Sequence, residues 1–105
     1  MSTFTDVDRL TLVFPPAVEP ALLEILLDEE PPLPGFTVVH AEGHGADFEH
    51  ATVRERVRGR VARRMLLMVL PHARVEHLLE RLRARLPSNH VTWWVEPVSG
   101  FGRLA

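Results

Sequence analysis

The 105-residue sequence predicts an α+β sandwich: four strands and two helices in the order β-α-β-β-α-β. Three observations predict it. Segments 19–28 and 73–86 carry apolar residues at helical spacing. Four other segments are alternating or β-branched apolar runs, and proline or glycine stands at most of the boundaries between them.

Arg9 to Phe14 alternates, with Leu10, Leu12 and Phe14 on one side and Thr11 and Val13 on the other, so it reads as a strand that Pro15-Pro16 ends. Glu19 to Asp28 reads as a helix. Pro20 suits a first turn, where a missing N–H costs nothing, and Leu22, Leu23, Leu26 and Leu27 are expected to form its apolar face. Glu29-Glu-Pro-Pro-Leu-Pro-Gly35 turns the chain into a second strand, Phe36 to Glu42. A polar stretch follows and reads as a long loop with a helical turn around 52–57. Loops of this length inside small domains usually carry function. Ala62 to Leu70 has a nearly continuous apolar core and reads as a central strand covered on both sides. From Ala73, the residues Val75, Leu78, Leu79, Leu82 and Leu86 mark the clearest helix, which Pro87 ends. Val91 to Val95 is the last strand, and its adjacent Trp93 and Trp94 must face opposite sides, one toward the core and one toward an interface.

This order is the ferredoxin-like arrangement, a four-stranded antiparallel sheet with both helices on one face. The other face, with Thr11, Val13, second-strand residues and one tryptophan, would expose a large apolar patch, so oligomerisation is expected to cover it. The chain is expected to form one domain over 1–105, with a flexible start at 1–8, a long loop at 43–60 and a tail at 99–105.

Composition narrows the function classes. The chain has no cysteine, which excludes disulfides and thiolate metal sites. No apolar run approaches the roughly 20 residues of a membrane span, and the first residues lack a secretory pattern, so a cytoplasmic location is expected. The net charge of −2 is unevenly spread: residues 1–50 hold ten of the fourteen acidic residues and the single base Arg9. The basic residues are all arginines, and no nucleic-acid motif accompanies them. No nucleophile or carboxylate pair has a placement suited to catalysis, so an enzyme is not expected.

Several segments together resemble the PII-like superfamily: Leu10 to Pro16, Glu42-Gly-His-Gly45, Glu55 to Arg60, Val69-Leu-Pro71, Trp93 to Val98, and Gly102-Arg-Leu104. The sequence is most similar to a short bacterial branch often encoded beside heavy-metal efflux pumps. The resemblance implies a homotrimer, a protruding T-loop at about 43–60, and small effectors such as adenine nucleotides in clefts between subunits. It also implies a loop that reports ligand state to a partner, often a membrane transporter. Gly43 and Gly45 align with the glycines that flank the nucleotide, where the lack of a side chain lets backbone N–H groups approach a phosphate. The sequence departs from the superfamily at Leu86 to His90, which lacks the Gly-Asp-Gly-Lys type of phosphate loop. Arg60, Arg63, Arg64 and Arg103 are the candidates to supply the missing charge.

Two clusters carry candidate chemistry. His40, His44, Asp47, Glu49 and His50 offer imidazole and carboxylate ligands for a divalent transition metal, in a spacing that fits no established zinc pattern. His40 and His44 share a face only if their strand runs to about His44. The arginines at 54, 56, 58, 60, 63 and 64 suit phosphate or carboxylate oxygens, or an acidic partner surface. Both clusters also read as solvated surface. His72, His77 and His90 read as exposed helix-end or loop residues. Two functions therefore stand side by side: an effector-binding regulator, with an adenine nucleotide or a metal as effector, and a metal-binding accessory protein built on His40, His44, Asp47 and His50.

Overall fold

The computed structural model describes residues 6–44, 60–86 and 90–105. The strands are β1 (Val7–Phe14), β2 (Phe36–His44), β3 (Arg60–Pro71) and β4 (Thr92–Val98). The helices are α1 (Glu19–Leu27), entered through a short 3-10 turn at Pro16–Val18, and α2 (His72–Arg85). The strands form one sheet in the order β2-β3-β1-β4, and each neighbouring pair is antiparallel. The predicted element order and the ferredoxin-like topology are both present. The proposed helical turn at 52–57 lies outside the described residues.

Period two decides which side chains meet. Leu10, Leu12 and Phe14 of β1 share a face with Leu66, Met68 and Leu70 of β3, because the register pairs Leu10 with Met68 and Leu12 with Leu66. All six are at most 1% exposed. Leu22, Ile25 and Leu26 of α1 and Val75, Leu78, Leu79 and Leu82 of α2 complete this single cluster, so both helices cover one face of the sheet. Each fully buried leucine contributes roughly 1.5–3 kcal/mol by leaving water.

Three expectations need correction. The apolar face of α1 is Leu22, Ile25 and Leu26; Leu27 is 76% exposed, since five positions from Leu22 turns it away from the sheet. Neither tryptophan is core: Trp93 is 43% and Trp94 40% exposed, because β4 lies at the edge of the sheet formed by the described strands. β3 is central in the sheet, but among the described residues one face only is covered. Its other face presents Met65, Leu67 and Val69, half-buried beside Val13 and the exposed Val39 and Trp94. Thr11 on that open face is nevertheless buried, standing in register between Leu67 and Trp94.

The arginines of α2 fasten the proline-rich connection between α1 and β2. Arg74 donates to the carbonyl oxygens of Pro31 (2.7 Å) and Pro32 (3.3 Å). Arg81 Nε lies 2.5 Å from Oε2 of Glu29, a buried carboxylate, as a charge contact rather than an aligned hydrogen bond. Arg85 and Asp28 approach to 3.5 Å at the surface.

Candidate functional site at the β2–β3 base

The strands β2 and β3 extend further toward their connection than expected, to His44 and from Arg60. The ladder runs His40 with Arg64, Ala41 with Arg63, Glu42 with Ala62, Gly43 with Val61 and His44 with Arg60. Gly43 and His44 at one end of the expected 43–60 loop, and Arg60 at the other, are therefore strand residues. Gly45, Asp47 and His50 lie outside the described residues.

The extension settles which of these residues share a face. His40, Glu42 and His44 alternate onto one side of β2, and His44 Nε2 stands 3.8 Å from Glu42 Oε2. His40 and His44 are both exposed, with α-carbons about 13 Å apart at strand rise. No group of three metal-ligating side chains occurs among the described residues.

The arginine candidates divide between the faces. Arg63 and Gly43 lie on the open-face side. A β-carbon on Gly43 would stand 3.1 Å from both Arg63 Cγ and Val61 Cγ2, so this position is closely packed by its cross-strand neighbours. The Arg63 guanidinium donates from Nη1 to the Ala62 carbonyl at 3.0 Å. Arg64, one residue on, is on the helix side and half-buried, with its Nε donating to Glu19 Oε1 of α1 at 3.1 Å. Its charge is already neutralised. Arg103 stands in the exposed C-terminal segment.

Two polar clusters escaped the sequence reading. Asp8 is 6% exposed on the inward stripe of β1, and its Oδ2 lies 2.6 Å from Nδ1 of His72, the first residue of α2. The hydrogen bond with the Asp8 carboxylate, followed by the charges of Asp8 and Asp6, raises the His72 pKa. The backbone N–H of His72 also donates to the Asp6 carbonyl at 3.0 Å. On the open face, Arg9 donates to Glu96 Oε1 from Nη2 (2.7 Å) and Nε (3.1 Å), and Trp94 Nε1 donates to the same oxygen at 3.1 Å. Hydrogen bonding from Arg9 lowers the Glu96 pKa. A signal for the first cluster was present: an aspartate two residues before Leu10, on the same stripe as Leu10, Leu12 and Phe14, needs a partner once buried. No helix among the described residues is long and apolar enough to cross a membrane.

The same fold occurs in solved structures. A DUF3240 family protein from Shewanella baltica OS155 superposes with a TM-score of 0.75 at 21% identity, over 100% of both chains. CPII, a nitrogen regulatory PII-like protein from Thiomonas intermedia K12 bound to ADP, AMP and bicarbonate, gives 0.67 at 20% identity over 94% of this chain and 96% of its own. PII from Arabidopsis thaliana bound to citrate gives 0.70 at 16% identity, covering 95% of this chain and 82% of that one. The fold is thus the ferredoxin-like fold of PII-like proteins. A comparison with curated proteins finds no match. Residues 4–105 match the family described as protein of unknown function (DUF3240), and the chain belongs to that family.

Proposed function

We propose that this protein is a non-enzymatic, PII-like regulator. It assembles as a homotrimer in the cytoplasm, binds a small effector in the clefts between its subunits, and reports to a partner protein through the 43–60 segment. The observation that carries this reading is the combination of the shared PII-like fold with an unpartnered apolar sheet face. Val39 and Trp94 at about 40% exposure, with Met65, Leu67 and Val69 between them, form a surface that monomers seldom leave in water. In the trimer these faces meet at the centre and the ends of β2 lie beside neighbouring subunits. Gly43, Gly45, Arg60, Arg63, Arg64 and Arg103 are the residues proposed to meet the effector, an adenine nucleotide by analogy with the ADP and AMP bound to CPII. Within this set Arg63 is the best placed, beside Gly43 and, among the described residues, bonded only to a neighbouring carbonyl. The proposed partner is a heavy-metal efflux transporter, a reading that rests on the sequence resemblance alone.

A second reading is favoured by one observation. The run of β2 to His44 puts His40 and His44 on one face with Glu42 between them. In that reading His40, His44, Asp47 and His50 bind a divalent transition metal, completed by a neighbouring subunit.

Thermal unfolding of chelator-stripped protein against ADP, AMP, bicarbonate, citrate and divalent metals separates the two. A ligand at a hundred times its dissociation constant stabilises by about 2.7 kcal/mol, a shift of several degrees for a domain of this size. Stabilisation by nucleotide that survives changing His40, His44 and His50 to alanine supports the regulator. Stabilisation by metal alone, lost in that variant, overturns it in favour of the metal-binding reading.

A further inference from the structure

On the helix side of the sheet, toward its β4 edge and between α1, α2 and the start of β4, is a cavity of about 190 Å³. It runs from an exposed rim at Arg83 and Trp93 to Leu12 and Leu22, which are 1% and 0% exposed. Its remaining described lining, Leu79, Leu82, Leu86 and Val91, is wholly apolar. Among the described residues, none assigned to the effector or metal sites lines it.

Arg83 is distinctive among the helix and strand arginines whose side chains are described. Arg9, Arg64, Arg81 and Arg85 face carboxylates, and Arg63 and Arg74 donate to carbonyl oxygens. The Arg83 guanidinium has no oxygen partner among the described residues. It lies over the Trp93 ring instead, with 5.7 Å between its central carbon and the ring centroid. A cation over an indole at the rim of an apolar cavity is drawn toward the ring face, while its N–H donors stay available. On the other side of the Arg83–Trp93 pair lies a wider groove that also carries Asp8, His72 and Glu76. Its carboxylates disfavour an anion there, so an anion meeting Arg83 is directed to the apolar side.

An apolar cavity whose mouth carries one cation with no counter-charge among the described residues fits a ligand that is apolar at one end and singly anionic at the other. We propose that the cavity binds a small amphipathic monocarboxylate, whose body lies against Leu12, Leu22 and Leu82 and whose carboxylate takes a forked hydrogen bond from Arg83. The volume fixes the size. A leucine-lined cavity of about 150 Å³ accepts benzene, so this one accepts a single ring or a chain of about six carbons.

The test uses the full chain carrying Trp94→Phe, a change on the opposite face of β4 that leaves Trp93 as the sole indole reporter. Benzoate and hexanoate are titrated beside their neutral counterparts, benzyl alcohol and hexanol. The expected result is a saturable change in Trp93 emission with the acids. In Arg83→Gln, affinity for the acids falls about tenfold or more, the size of a lost charge-assisted hydrogen bond, while the alcohols bind as before. Arg83 is exposed, so this variant folds; circular dichroism checks it. Leu82→Phe, which fills the cavity, abolishes binding of acids and alcohols alike. Absence of saturation up to about 10 mM, beyond the weak end of useful affinity, overturns the proposal. So do equal affinities for acid and alcohol, or unchanged acid binding in Arg83→Gln.

Discussion

Asp8 and His72 hold the start of β1 to the start of α2: a buried carboxylate oxygen lies 2.6 Å from the Nδ1 of an exposed imidazole. With the bond from the His72 N–H to the Asp6 carbonyl, the contact ties together segments 64 residues apart. Because the partner carboxylate favours the imidazolium, the folded-state pKa of His72 lies above the ordinary value of about 6.5.

The consequence for stability has a definite sign. A raised histidine pKa contributes stability that is fully present below about pH 6.5 and is lost as pH rises through the folded value. Asp8→Asn is therefore expected to return the His72 pKa toward its ordinary value in an NMR titration. The variant should also lose the part of the wild-type change in melting temperature that falls between these two pKa values. A His72 titration unchanged in Asp8→Asn would show that the contact does not exist in solution.

The open sheet face supplies a second prediction. Val39→Glu places a charge on the exposed apolar surface, at a position 43% exposed in the protomer. The wild type is expected to run as a trimer in light scattering and the variant as a monomer with unchanged far-ultraviolet dichroism. A wild-type monomer at micromolar concentration contradicts both the trimer and the intersubunit effector cleft.

Core packing gives a third. Leu66 is 0% exposed at the centre of β3, in register with Leu12 and Val38. Leu66→Ala should cost about 2–5 kcal/mol in denaturant unfolding, the transfer and cavity penalty of a buried leucine. Leu27→Ala, on the solvent side of α1, should change stability by less than about 0.5 kcal/mol.

The fastening of the α1–β2 connection gives a fourth. Glu29 is 4% exposed against Arg81, which keeps part of its surface in water. Glu29→Ala leaves the buried end of Arg81 without its counter-charge and should cost about 1–3 kcal/mol. Glu29→Gln should recover part of that loss, since an amide keeps a polar oxygen beside Arg81 Nε. Equal stability of all three proteins would rule out a structural role for this pair.

Gly43→Ala probes the effector site rather than the fold. The added β-carbon meets Arg63 Cγ and Val61 Cγ2 at 3.1 Å, which a small side-chain adjustment absorbs. The melting temperature should fall by a few degrees at most, while any wild-type stabilisation by ADP or AMP shrinks. Full retention of that stabilisation would remove Gly43 from the effector site.

Local pattern determined the element order, the inward stripe Leu10, Leu12 and Phe14, and the buried face of α2, because periods of 2 and 3.6 are written directly in the spacing of apolar residues. The order of elements was enough to indicate the ferredoxin-like sheet and the apolar face it leaves open. The candidate site was legible only as residue types. Arg63 and Arg64 are neighbours in sequence, yet the pleat sends them to opposite faces, and Glu19 of α1 neutralises only the second. The fates of Trp93 and Trp94 depended on β4 lying at the sheet edge, which no local run of residues specifies. Pairing of Asp8 with His72, and the isolation of Arg83 above Trp93, likewise depend on which helix residue the antiparallel register brings beside which strand residue. Sequence thus determined the elements and their buried faces, a property of each segment alone. Tertiary structure decided which charges are neutralised and which remain free to bind, because the partners come from distant segments.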